Sequence, residues 1–158
     1  MELQSKEIVL VLGIGNLDRG DDGAGIAVVR RIRSMMLQGI TVMEMSGEGT
    51  ALVNLWETMK PHSVYIIDAM YCGVPTGSIE RFDIHDSPLP QQFISDYSTH
   101  AFGLHHAIEL ARVLDCLPRK VTVYGIEGQC FDHGEPLTAE VKTATIKTVG
   151  LIMYELFA

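Results

Sequence analysis

Six consecutive residues, Ile8-Val9-Leu10-Val11-Leu12-Gly13, carry no polar side chain on either face. A strand with one wet side alternates polar and apolar residues. A strand apolar at every position suits the interior of a parallel sheet, covered on both faces. Such a sheet needs helices above and below it, and the chain supplies them in alternation. Gly25 to Leu37 reads as a helix, with Val29, Ile32 and Met36 on one stripe, acids at its start and Arg30, Arg31 and Arg33 toward its end. Ile40 to Met45 reads as a second strand, Thr50 to Met59 as a short helix stopped by Pro61, and Ser63 to Ile67 as a third strand ending at Asp68. Ser78 to Ile84, entered through Gly73-Val74-Pro75-Thr76-Gly77, predicts an edge or antiparallel strand. A loop from Asp86 to Asp96 precedes a helix from His100 to Asp115, with Leu104, Ala107, Ile108 and Ala111 in register. Lys120 to Ile126 is the fifth strand, and Thr138 caps a final helix that runs to Phe157. The expectation is a single three-layer α/β/α domain over residues 1–158. Its five-stranded, mostly parallel twisted sheet would bind ligands at the carboxyl ends of its strands.

The turn after the first strand is rich in glycine, and such a turn often cradles phosphate. Here Gly13 and Gly15 are followed by Asp18 where a dinucleotide fingerprint needs a third glycine, and no Gly-Lys-Ser/Thr follows. The acidic pair Asp21-Asp22 would also repel a phosphate at the helix start. Net charge points the same way: 12 basic residues against 20 acidic ones give −8. That disfavours nucleic acid and anionic membranes as partners, and is permissive for a cation or a basic peptide. Glycines 13 and 25 fit tight turning and close helix packing whatever the function.

Two carboxylates then stand out. The helix dipole alone accounts for Asp21 in a first helical turn. Asp68 is different, because it closes Val64-Tyr65-Ile66-Ile67, a run whose only other polar side chain is Tyr65, at the strand edge where sites gather. Asp22 and Asp68 are thereby placed to face one crevice from neighbouring strands. His100 is the third element, with Ser98 or Thr99 as helix cap. Five other histidines compete with it, and no short-range ligand pair shares a helix face, so a metal site here would draw on distant segments. Glu127, after the fifth strand, either lines the same crevice or forms its turn. Cys72, Cys116 and Cys130 form no CxxC pair and leave an odd count, which suits a reduced, cytoplasmic chain. Cys72 and Cys130 have no neighbouring base, and no GxSxG elbow is present, so covalent catalysis has little support. Leu52 and Trp56 sit at core spacing. The start, Met1 to Glu7, is too polar for a signal peptide, and the apolar run after it is too short to span a bilayer.

Together, Gly13-Ile14-Gly15-Asn16 running to Asp21-Asp22-Gly23, Ser46-Gly47-Glu48-Gly49-Thr50, Asp68 to Gly77 and Ser98-Thr99-His100-Ala101-Phe102-Gly103-Leu104 resemble the hydrogenase maturation endopeptidases, in order along nearly the whole chain. Val123 to Gly128 and Pro136-Leu137-Thr138 extend the likeness. The resemblance implies removal of a short carboxyl-terminal peptide from the precursor of a nickel-iron hydrogenase large subunit, once nickel is in place. It assigns two carboxylates and a histidine as nickel ligands: Asp22, Asp68 and His100. Some members have glutamate at the first position, so Asp22 is one methylene shorter. Gly47, Glu48, Gly49 and Thr50 match the loop near the substrate cleft, with Glu48 where many members have glycine.

Two carboxylates and an imidazole suit a borderline divalent ion such as nickel, and without thiolate they would hold the free ion weakly. That fits nickel supplied by the precursor, and a metal-assisted hydrolysis in which Asp22 or Asp68 acts as base. Two other readings remain at this stage. A receiver-like domain phosphorylated on Asp68 shares the acidic pair and the strand-end aspartate, but lacks a lysine after the fifth strand. A non-catalytic chaperone that only binds the precursor would be the other.

Overall fold

A computed structural model describes residues 6–90 and 103–158. Among the described residues, five strands and four helices follow one another in the expected order. Strand β1 spans Val9–Ile14, β2 Ile40–Met45, β3 Ser63–Met70, β4 Ile79–Asp83 and β5 Lys120–Glu127. Helix α1 spans Ala24–Ser34, α2 Gly49–Met59, α3 Leu104–Val113 and α4 Ala139–Phe157. A short 3₁₀ turn, Gly20–Gly23, leads into α1. The strand order is β2-β1-β3-β5-β4, with β4 antiparallel to β5 and every other pair parallel. The turn-entered segment before Ile84 is therefore the antiparallel edge strand.

Alternation along the strands divides the core into two layers. Leu10, Leu12, Val64, Ile66, Val121 and Val123 point to one face, where Leu52 and Trp56 of α2 and Leu104, Ala107, Ile108 and Ala111 of α3 cover them. Val11, Tyr65, Ile67, Tyr124 and Ile126 point to the other, under Val28, Val29 and Ile32 of α1 and Val141, Ala144 and Ile152 of α4. Trp56 is 1% exposed, so truncation to alanine would cost about 3–5 kcal/mol.

Three expectations change. Helix α1 stops at Ser34, whose hydroxyl bonds back to the Arg31 carbonyl, and Met36 turns left-handed (φ 52°) and 86% exposed instead of extending the stripe. Strand β3 does not end at Asp68, because pairing with β5 continues through Asp68–Gly125, Ala69–Ile126 and Met70–Glu127. Thr138 takes the N-cap position of α4 but makes no side-chain cap bond, its hydroxyl being engaged elsewhere.

Candidate functional site

Strands β1 and β3 are adjacent and parallel, so the turn after β1 and the carboxyl end of β3 lie side by side. By strand alternation Asp68 shares the face of Ile66 and Met70, on the side of α2 and α3. The first turn of α2 lies over this end of the sheet. The crevice is therefore bounded by the β1 turn, the end of β3 and the segment that opens α2.

Helix α1 sits unusually deep beside it. A β-carbon on Gly25 would lie 2.2 Å from the Ile67 carbonyl oxygen and 2.5 Å from that of Ile14. Only a residue without a side chain lets the start of α1 press onto the backbones of both strands. Gly15 (φ 141°) makes the turn itself, with the Asp22 carbonyl accepting the Asn16 amide at 3.2 Å. These two glycines thus serve close backbone contact.

The two acidic neighbours have opposite fates. Asp21 is fully buried, and its carboxylate accepts bonds from the amides of Gln129 (2.8 Å), Cys130 (3.1 Å) and Thr138 (2.8 Å) and from the Thr138 hydroxyl (3.1 Å). Main-chain bonds reinforce the clasp: Asp21 to Cys130 (2.7 Å), Gly20 to Glu135 (2.9 Å) and Gly134 to Asp18 (2.7 Å). Its role is to lash the β1 turn to the β5–α4 loop, not to complement a helix dipole. Asp22 stays partly accessible, and its charge acts on Asp68. Burial, and then the neighbouring Asp22 carboxylate, hold the Asp68 carboxyl well above the usual carboxylate range, although part of its surface remains open to the crevice. The two carboxylates concentrate negative charge at this end of the sheet.

Glu127 belongs to the turn. It is 1% exposed, and its carboxylate accepts the amides of Cys72 (2.9 and 3.0 Å) and Gly73 (2.9 Å), fixing the backbone just beyond β3. Burial, Glu127 and Glu80 push the Cys72 thiol up, away from a reactive thiolate. Gly47 (φ 91°) and Gly49 are buried, while Glu48 and Thr50 are exposed, the Thr50 hydroxyl donating to Glu48 Oε1 at 2.7 Å. This loop presents a carboxylate at the start of α2. His100, with Ser98 and Thr99, lies outside the described residues. Among the described residues no three His, Cys, Asp or Glu side chains form a group that could hold a metal ion.

The role of Asp21, and which groups Glu127 would hold in its turn, escaped sequence reasoning because the partners are remote. Asp21 meets Thr138, 117 residues on, and Glu127 meets Cys72, 55 residues back. No local spacing signals either contact.

The fold is that of a doubly wound α/β protein with an antiparallel edge strand and two carboxylates, Asp22 and Asp68, at the carboxyl ends of neighbouring strands. The strand order also parts it from the receiver-like reading, whose sheet runs 2-1-3-4-5. The chain belongs to the hydrogenase maturation protease (HycI) family, which it matches over residues 26–155. A relative from Methanocaldococcus jannaschii, named for the same maturation activity, is 29% identical over 96% of this chain and 97% of its own length. The hydrogenase expression/formation protein HupD of Thiocapsa roseopersicina is 27% identical over 89% of this chain, which spans 63% of that relative's length. The fold is shared with the Escherichia coli hydrogenase maturating endopeptidase HybD at a TM-score of 0.80 and 20% identity, covering 94% of this chain and 91% of that one. No described helix is long and apolar enough to cross a membrane.

Proposed function

We propose that this chain removes a short carboxyl-terminal peptide from the nickel-loaded precursor of a [NiFe] hydrogenase large subunit, acting in the cytoplasm. Family membership supports a peptidase. The observation that supports the finer reading is the placement of Asp22, in the turn after β1, and Asp68, near the end of the adjacent parallel strand β3, at one edge of the sheet.

Nickel here is cargo of the substrate, and the donors fit it: a carboxylate pair whose repulsion a divalent ion relieves, with His100 as third ligand and no thiolate to hold the free ion strongly. Bound there, the ion would supply Lewis acidity at the scissile carbonyl. Asp22 and Asp68 hold the loaded end of the precursor, and one of the two takes the proton of the attacking water as general base. The Asp21 clasp and the Glu127 clasp keep the two walls of the crevice at fixed separation. Gly47, Glu48, Gly49 and Thr50 supply a rim against which the precursor tail lies, Glu48 being suited to a basic residue near the cut.

Incubation with candidate precursors, with and without nickel, tests the reading by mass spectrometry. Loss of a small carboxyl-terminal peptide only from the loaded precursor is expected. An unchanged mass for every loaded precursor would overturn it.

A further inference from the structure

The crevice lies at the carboxyl edge of the sheet, and the opposite edge carries a cavity of its own. Ser63, which opens β3, pairs with Lys120, which opens β5, so the α2–β3 and α3–β5 connections run side by side there. Between them is a cavity of about 460 Å³, within the ordinary range for a small-molecule site. The length of strand from Ser63 to Asp68 sets it about 17 Å from the crevice carboxylates.

Trp56, Pro61 and Pro118 form the buried part of the lining. The Trp56 indole N–H is buried and meets no acceptor among the described residues, whereas a buried tryptophan ordinarily finds one. Packing of α2 on the sheet accounts for the ring but not for the donor, which phenylalanine would omit. Glu57, Lys60, Asp115 and Arg119 stand exposed around the mouth, and none of them forms an ion pair among the described residues. Lys60 (φ 47°) and Asp115 (φ 54°) take the left-handed conformation just beyond α2 and α3. Glycine would end either helix without steric cost; both positions keep a charged side chain instead.

The mixed charges fit a ligand that carries both signs. Burial, then Glu57 and Asp115, push the Cys116 thiol up, which puts both acids near the Cys116 wall. The carboxyl-terminal ends of α2 and α3 also meet at the cavity, and their dipoles favour a cation. An ammonium group suits that wall. A carboxylate suits the unused indole donor, with Lys60 and Arg119 to balance its charge. Pro61, Leu117 and Pro118 supply apolar surface for the rest of the ligand. We propose that this cavity binds a free amino acid with a large apolar side chain, its carboxylate accepting from the Trp56 indole N–H beside Lys60 and Arg119, and its ammonium group facing Glu57 and Asp115. A simple acid or a simple amine would satisfy only half of the site.

Trp56 is the only tryptophan of the chain, so its indole N–H gives a single cross-peak in a ¹H–¹⁵N correlation spectrum. Titrating the full chain with L-phenylalanine to ~10 mM should shift that peak saturably, together with the Lys60 and Cys116 amides. The Gly47 and Gly49 amides beside the crevice should stay in place. Phenylpropionate, which lacks the ammonium group, and phenethylamine, which lacks the carboxylate, should each bind at least tenfold more weakly. By calorimetry, Trp56→Phe, which keeps a ring and deletes the donor, should weaken phenylalanine binding at least tenfold. Arg119→Glu, on the exposed rim where the fold tolerates it, should do the same. An indole peak unmoved by phenylalanine overturns the proposal, as does equal binding of either stripped ligand or full affinity in both variants.

Discussion

The carbonyl oxygen of Asp22 occupies the space that a side chain on Gly15 would need: a β-carbon there would lie 1.9 Å from it. The candidate ligand Asp22 and the first glycine turn are thereby one unit, since the turn closes tightly only if residue 15 is glycine.

Gly15→Ala should accordingly lose more than its conformational strain, which is on the order of 1–3 kcal/mol. The displaced Asp22 backbone should also cut precursor cleavage by at least tenfold at temperatures where the variant remains folded. Thermal unfolding and a cleavage time course on one preparation check both parts. Wild-type cleavage by the alanine variant would break the link between turn and site.

Asp21 and Asp22 should separate cleanly by stability. Asp21→Ala leaves three partly buried amides and a hydroxyl without their charged acceptor, and should cost about 3 kcal/mol. Asp22→Ala should unfold near the wild-type denaturant midpoint yet fail to cleave. Equal losses of stability in urea titrations would count against this division of labour.

Asp68→Asn should be as stable as the wild type or more so, because burial and Asp22 both oppose the charged carboxylate it replaces. Its cleavage of loaded precursor should nevertheless fall by at least ~10²-fold, the scale on which a positioned acid or base acts. Denaturation in the presence of a chelator, paired with single-turnover cleavage, measures the two effects independently.

Glu155 of α4 supplies a pH prediction. Burial alone would raise its carboxyl, but bonds from Arg81 and Tyr124 outweigh that and leave it below the ordinary 4.5. A depressed carboxyl stabilises the fold above its unfolded pKa, and that contribution disappears as pH falls through the folded value. Glu155→Gln should therefore be less stable than wild type at neutral pH, by about 1 kcal/mol or less given the exposure of Arg81, and the gap should close below pH 4.5. A gap that widens in acid would contradict the sign.

Much of this architecture was legible along the chain. The all-apolar run of β1 announced a strand covered on both faces, the spacing of Leu104, Ala107, Ile108 and Ala111 placed α3 against the sheet, and the entry through Gly73–Gly77 marked β4 as the odd strand. Those signals are local, set by side-chain period and turn chemistry. Asp68 was found by the same means, from a charge closing an apolar run, though its strand continues two residues further because β5 offers partners up to Glu127.

By itself, the sequence determined the layered architecture, the core stripes apart from Met36, and the candidacy of Asp22 and Asp68. Only the tertiary structure decided what separates Asp21 from Asp22, since a carboxylate becomes a buried clasp or stays partly accessible according to which amides reach it. Those amides come from Gln129, Cys130 and Thr138, more than a hundred residues away. The same holds for Glu127 and for Gly25. Contacts closed by chain folding leave no period in the sequence, because they depend on how the layers stack and not on which residues are neighbours.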